Sequence, residues 1–186
     1  MSRYRVDGSV RVTARSRLHD VQARSARLAG WLDAVLEDGT LQVASAYLEL
    51  PTISITSDNP LLTREITRRM DPQRHPLVQA DIAPVTGPVD AVAEVDGKLT
   101  LHGVRRPVHG SAWVRVEPGG ADGAGDTLAV EGAVTLDVRR FEIRPPSMLG
   151  LRVRPEVDVR LRLRAVPAPE PDPEPEPEPE AEPVPD

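Results

Sequence analysis

The sequence predicts an all-β protein: an antiparallel up-and-down β-barrel carrying one short helix and followed by an acidic tail. Three observations carry this. Apolar and polar residues alternate with period two over runs of about ten residues. Asp-Gly pairs punctuate those runs. A single stretch, residues 57–76, abandons the alternation for a helical stripe. Alternation of this kind marks antiparallel sheet with one face in water. Long strands with one apolar face must close on themselves or pair with a second sheet, and successive hairpins favour closure. Eight or nine strands are expected.

The elements follow in order. The opening "MSRYRVDGSV" enters strand-like sequence at once and lacks the apolar core of a signal peptide. No apolar run approaches the roughly 18 residues of a membrane helix, so no membrane span and a cytoplasmic location are expected. Asp38-Gly39 separates "GWLDAVLE" from "LQVASAYLEL", a hairpin signature. The helix is expected at about 58–70. Asp58 or Asn59 is placed to cap it, Pro60 suits its first turn, and Leu61, Leu62, Ile66 and Met70 form its apolar stripe. Asp96-Gly97 then predicts a turn between "AVAEV" and "KLTLHGV".

In "LTLHGVRRPV", Leu99 and Leu101 alternate with Thr100 and His102. Gly103 is expected in a bulge or at positive φ, with Val104-Arg105-Arg106-Pro107 as the connection. His102 is expected to hydrogen-bond across to a neighbouring strand or loop. Three further strands follow. Val108, Ala112, Val114 and Val116 are in phase, then Leu128, Val130, Val134, Leu136 and Val138, then Val157, Val159, Leu161 and Leu163. Gly119-Gly120 and Asp122-Gly123 supply a turn between the first two of these runs.

The net charge of −6 conceals two parts. From Pro167 onward there are eight acidic residues and no basic one, which leaves 23 basic against 21 acidic residues before it. A barrel domain over 1–166 and a disordered Pro/Glu-rich tail over 167–186 are expected, because alternating proline removes donors and like charges repel. Of the basic residues only Lys98 is lysine.

Composition also excludes chemistry. There are no cysteines, hence no thiol nucleophile, disulfide or Cys-based zinc site. His19, His75, His102 and His109 have no ligand spacing such as a helical i,i+4 pair. No Gly-x-Ser-x-Gly elbow occurs, and the glycine-rich stretch 119–125 lacks the lysine of a phosphate loop. The body's small charge excess and only five aromatic residues argue against nucleic acid as partner. No catalytic residue, metal site or cofactor is expected.

The apolar faces leave two alternatives. Barrels of about eight strands either fill with side chains or hold one ligand, and periodicity does not separate the two. Alternation puts Leu99, Leu101, Ala112, Val114, Val130, Val134, Leu136, Val159, Leu161 and Leu163 on the inner face.

Several stretches together resemble the YceI-like family of lipocalin-like, polyisoprenoid-binding proteins. "LTLHGVRRPV" is similar to its most recognisable segment, and "YRVDGSVRV" to its Tyr-x-(Ile/Val)-Asp start. "LHDVQARSARLAGWLD", "TSDNP…MDPQRHPLVQADI", "FEIRPP" and "EVDVRLRLRA" fit further elements, over roughly residues 4 to 165. Ala23, Ser25, Thr63 and Arg69-Met70 depart from the family pattern, which has aromatic residues or histidine near these places. The resemblance implies a lipocalin-like barrel with a ligand cavity and a non-enzymatic carrier or sequestering role. It also implies an apolar or amphiphilic, isoprenoid-like small molecule as partner, contacted by the ten inward residues named above. Arg64, Arg68, Arg69, Arg105 and Arg106 are candidates for a head phosphate. The rival reading is an interaction or scaffold module with a filled barrel and a working tail. The sequence does not fix the oligomeric state.

Overall fold

The computed structural model describes residues 1–17, 19–119, 125–145, 147–148 and 151–168. Among the described residues there are ten strands and one α-helix: β1 (Ser2–Ser16), β2 (Val21–Glu37), β3 (Thr40–Pro51), α1 (Pro60–Met70), β4 (Leu77–Ile82), β5 (Val85–Pro88), β6 (Val92–Leu101), β7 (Val104–Glu117), β8 (Thr127–Asp137), β9 (Ser147–Met148) and β10 (Leu151–Pro167). Eight close into an antiparallel barrel in the order β1-β2-β3-β4-β6-β7-β8-β10, with β10 returning to β1. β5 pairs with the start of β3, and β9 with the start of β10.

The up-and-down order sorts the connections into two ends. At one, the tail end, lie the β2–β3 turn, the segment 83–91 and residues Ser2 and Pro167. At the other, the helix end, lie α1, the β6–β7 turn and the segment 138–145.

The walls follow the period-two rule, and bulges shift its phase within β2 and β3. In β1, Tyr4, Val6, Val10 and Ala14 are buried, all even-numbered. In β2 the buried set is Ala23 and Ser25, then Leu28, Leu32 and Ala34. The phase changes because Val10 pairs with Ser25 and Gly8 with Leu28, which leaves an extra residue on β2 as a bulge. β3 changes phase likewise: Asp33 pairs with Ser45 and Ala34 with Val43.

Turn chemistry corrects two expectations. Asp38 and Gly39 do turn, with φ of 48° and 72°. Asp96-Gly97 does not. It lies inside β6, paired to both β4 and β7. A Cβ at Gly97 would stand 2.7 Å from the Asp81 carbonyl oxygen, so this glycine serves a close approach of strands. The second correction concerns Val104-Arg105-Arg106-Pro107, which is strand: Pro107 pairs with Lys98, and Leu101 with Val104. The connection is His102-Gly103 itself, with φ of 52° and 75°. Two consecutive positive φ values make the tight hairpin turn that follows strand twist. Gly119 lies beside the β7–β8 connection, whose residues 120–124 fall outside the described set.

The helix end is capped by α1 and the segment 138–145. Asn59, not Asp58, caps α1: its Oδ1 accepts from the Leu61 and Leu62 amides at 2.9 and 3.4 Å. Leu62, Ile66 and Met70 face the barrel. Leu61, expected in that stripe, is 57% exposed. Met70, Phe141 (1% exposed) and Ile143 pack with Leu101 into one cluster that covers this end. Strand β10 runs to Pro167, and the Ala168 amide donates to the Arg3 carbonyl at 2.8 Å, so the barrel extends past residue 166. The expected tail lies, from residue 169, outside the described residues.

Candidate functional site: an apolar cavity in the barrel

A cavity of about 410 Å³ occupies the barrel interior, within the range of small-molecule sites. All ten residues placed by alternation on the inner face line it: Leu99, Leu101, Ala112, Val114, Val130, Val134, Leu136, Val159, Leu161 and Leu163. So do residues that the alternation did not single out. Val6, Val10 and Val12 come from β1, Leu28 and Leu32 from β2, and Leu62 and Ile66 from α1.

The space has a definite cause. Ala93 pairs with Ala112, and Ala112 with Gly132, so one row across β6, β7 and β8 carries almost no side chain. The row ends on Leu161 of β10. A barrel wall of valine and leucine with one row of alanine and glycine cannot fill its centre. Toward the tail end Leu128 and Ala165 are fully buried, and Val89 of the segment 83–91 packs against their cluster. The Val89 amide donates to the Gly39 carbonyl at 2.9 Å and the Asp90 amide to the Val114 carbonyl at 2.7 Å.

Aromatic residues take no part in the cavity wall among the described residues. Trp31 and Tyr47 stack with centroids 6.4 Å apart, and the Arg3 guanidinium lies 4.6 Å from the Trp31 ring centroid. The Tyr47 hydroxyl donates to Glu49 and accepts from Gln79, and burial pushes its pKa up. Ser25, where the family pattern has an aromatic, is buried and hydrogen-bonds Ser54 at 2.7 Å.

Polar groups reach the cavity mainly at the helix end. Arg69, 19% exposed at its side chain, borders both the cavity and a shallow polar depression formed with Arg68, Glu142, Arg144 and Pro145. Its Nε donates to Glu65 at 2.6 Å and its terminal nitrogen to the Arg144 carbonyl at 2.7 Å. Hydrogen bonds from Arg68 and Arg69 hold the Glu65 carboxyl below its usual range. Of the five arginines considered for a head phosphate, Arg69 alone lines the cavity. Arg68 shares Glu65, Arg105 pairs with Asp81 at 2.8 Å, and Arg106 donates to the Arg140 carbonyl at 3.3 Å.

His102 does not make the expected hydrogen bond. Its Nδ1 is buried without a partner, and its ring packs on His75 with centroids 4.5 Å apart. On the outer wall His109 is held between Asp96 (2.8 Å) and Glu94 (2.7 Å), and its pKa is raised, first by the hydrogen bond to Asp96. Among the described residues no three His, Asp or Glu side chains gather as a metal site. No helix among them is long and apolar enough to cross a membrane.

The fold has solved counterparts. A polyisoprenoid-binding domain from Saccharophagus degradans, implicated in plant cell wall breakdown, superposes with a TM-score of 0.64 at 13% identity, covering 90% of this chain and 100% of that one. Burkholderia cenocepacia BcnA gives 0.65 at 16% identity, over 84% and 95% of the two chains. The Campylobacter jejuni YceI protein gives 0.63 at 12% identity, over 82% and 88%. No curated protein matches the sequence. The family model described as the YceI-like domain matches residues 4–165. With that match spanning nearly all of the barrel, the chain belongs to the YceI-like family.

Proposed function

We propose that the protein binds a long apolar or amphiphilic molecule of the isoprenoid type inside its barrel, as a non-enzymatic carrier or sequestering protein. The observation that carries this is the cavity itself, about 410 Å³ walled by valine, leucine and alanine. Burial, not chemistry, is the mechanism. Each methylene removed from water is worth roughly 0.8 kcal/mol, so ten give about 8 kcal/mol. That corresponds to roughly micromolar affinity before association costs are subtracted. Membership of the YceI-like family and the Saccharophagus degradans counterpart, a polyisoprenoid-binding domain, support this ligand class.

The test combines detection and blockade. Native mass spectrometry of the purified protein is expected to show a lipid-sized adduct, or uptake of a fluorescent isoprenoid. Ala112→Leu projects a side chain into the bare row and is expected to cut uptake by more than about tenfold while the protein still folds, since the added atoms enter empty space. Neither adduct nor uptake in the parent would overturn the reading in favour of an interaction module. Unchanged uptake by the variant would move the ligand out of this cavity.

A further inference from the structure

The two ends of the barrel carry opposite charge. At the helix end, α1 and the residues after it expose Arg64, Arg68 and Arg74, and the β6–β7 hairpin exposes Arg105 and Arg106. The segment 138–145 adds exposed Arg139, Arg140 and Arg144, and these arginines outnumber the exposed acidic Asp58 and Glu142 beside them. Of these, Arg64, Arg106, Arg140 and Arg144 have no carboxylate partner among the described residues. At the tail end, among the described residues, exposed Glu37, Asp38, Asp90, Glu117 and Asp126 outnumber exposed Arg3, which is itself paired with Asp33. The eight acidic residues that follow Ala168 in sequence are joined to that same end. An arginine-rich composition alone would not sort itself by end.

Large apolar side chains are exposed at both ends. Ile53 (58% exposed), Leu61 (57%) and Leu77 stand out at the helix end. Ile53 and Leu77 are adjacent there, because the Thr52 amide donates to the Pro76 carbonyl at 2.8 Å and Leu77 pairs with Pro51. At the tail end the exposed large apolar residues are Met1 and Val92. Exposed leucine and isoleucine among unpaired arginines suit an interface of hydrocarbon and anionic head groups. Arg69, at the edge of the cavity, belongs to the same end.

We propose that the helix end is a docking surface for an anionic lipid bilayer, on which the protein seats itself with the tail end pointing into water. Arginines 64, 106, 140 and 144 meet the head groups, and Ile53, Leu61 and Leu77 enter the acyl boundary. The acidic tail end is repelled, which fixes the orientation. The functional sense of this surface rests on the carrier reading: a ligand insoluble in water is exchanged with the bilayer through the end that touches it.

The experiment is co-sedimentation of the full chain, without added ligand, with vesicles of phosphatidylcholine alone or with phosphatidylglycerol. Binding is expected to the anionic vesicles only, and to weaken with salt. Each arginine near such a surface is worth about 1 kcal/mol, or about fivefold. Arg64→Glu/Arg106→Glu/Arg140→Glu is therefore expected to weaken binding by more than about tenfold. Arg5→Glu/Arg162→Glu/Arg164→Glu, the same charge change outside the helix end, is expected to weaken it by less than about threefold. Leu61→Ser/Ile53→Ser is expected to weaken it at constant charge. Circular dichroism checks folding, and glutamine at the same three helix-end positions replaces glutamate if the reversal unfolds the barrel. Equal partition to both vesicle types, or equal loss in the two triple variants, overturns the proposal. Solution uptake of a fluorescent isoprenoid by the parent, measured without vesicles, is the separate readout of the carrier reading, so either failure is recognised on its own.

Discussion

Two hairpins turn through nearly the same backbone at opposite ends of the barrel. Asp38-Gly39 at the tail end has φ of 48° and 72°, and His102-Gly103 at the helix end has 52° and 75°. Their surroundings differ completely. A Cβ on Gly39 would meet nothing within 4 Å, while one on Gly103 would stand 2.7 Å from Cε1 of His75. The tail-end turn only reverses the chain. The helix-end turn is also a seat for the segment that follows α1, so its glycine answers to two requirements at once.

That difference sets the order of expected effects. Gly103→Val combines strain at positive φ, about 1–3 kcal/mol, with displacement of the His75 ring, and is expected to lose 3 kcal/mol or more in denaturant titration, to within about 1. A loss under about 1 kcal/mol would show that the turn is not seated on His75. Adding His75→Ala to Gly103→Ala is expected to recover part of the loss, a coupling of about 1 kcal/mol. Gly39→Ala meets strain alone and is expected to cost about 1 kcal/mol. If it costs as much as Gly103→Ala, the two ends are alike after all.

The smallest effect belongs to the wall, away from both turns. The raised pKa of His109, from Asp96 first and then Glu94, stabilises the folded protein fully below the unfolded value near 6.5. The contribution is lost as pH rises through the higher folded value. His109→Gln is expected to melt slightly earlier than the parent near pH 5.5 and together with it near pH 9. A deficit that appears only at high pH would reverse the sign and remove the ion-pair account.

Much of the wall is legible in the sequence because its alternation is unbroken. Over 108–114 in β7, 128–136 in β8 and 157–163 in β10, a period of two puts alternate residues on the cavity. β2 and β3 are harder to read, because each contains a bulge that flips the phase midway, and a bulge depends on the partner strand. Asp-Gly proved ambiguous for a related reason. Glycine at 39 supplies a dihedral angle, whereas glycine at 97 supplies the absence of a Cβ against Asp81. Both look alike until the neighbouring strand is known. The cavity itself was not legible from periodicity. Its cause is that Ala93, Ala112 and Gly132, far apart in sequence, fall on one row, and only the register between strands brings them level.

The pairing of β1 with β10 closes the barrel, with Tyr4 opposite Pro167. During synthesis at roughly 5–20 residues per second, β1 emerges about ten seconds or more before the strand that covers its open edge. Until then its apolar face and its unpaired amides have only β2 for company. Closure of the barrel is bound to the arrival of the last strand, because β1–β10 is the one pairing that joins strands from opposite ends of the sequence. The interval before closure is when the protein is most open to pairing with the wrong edge, and most in need of a chaperone.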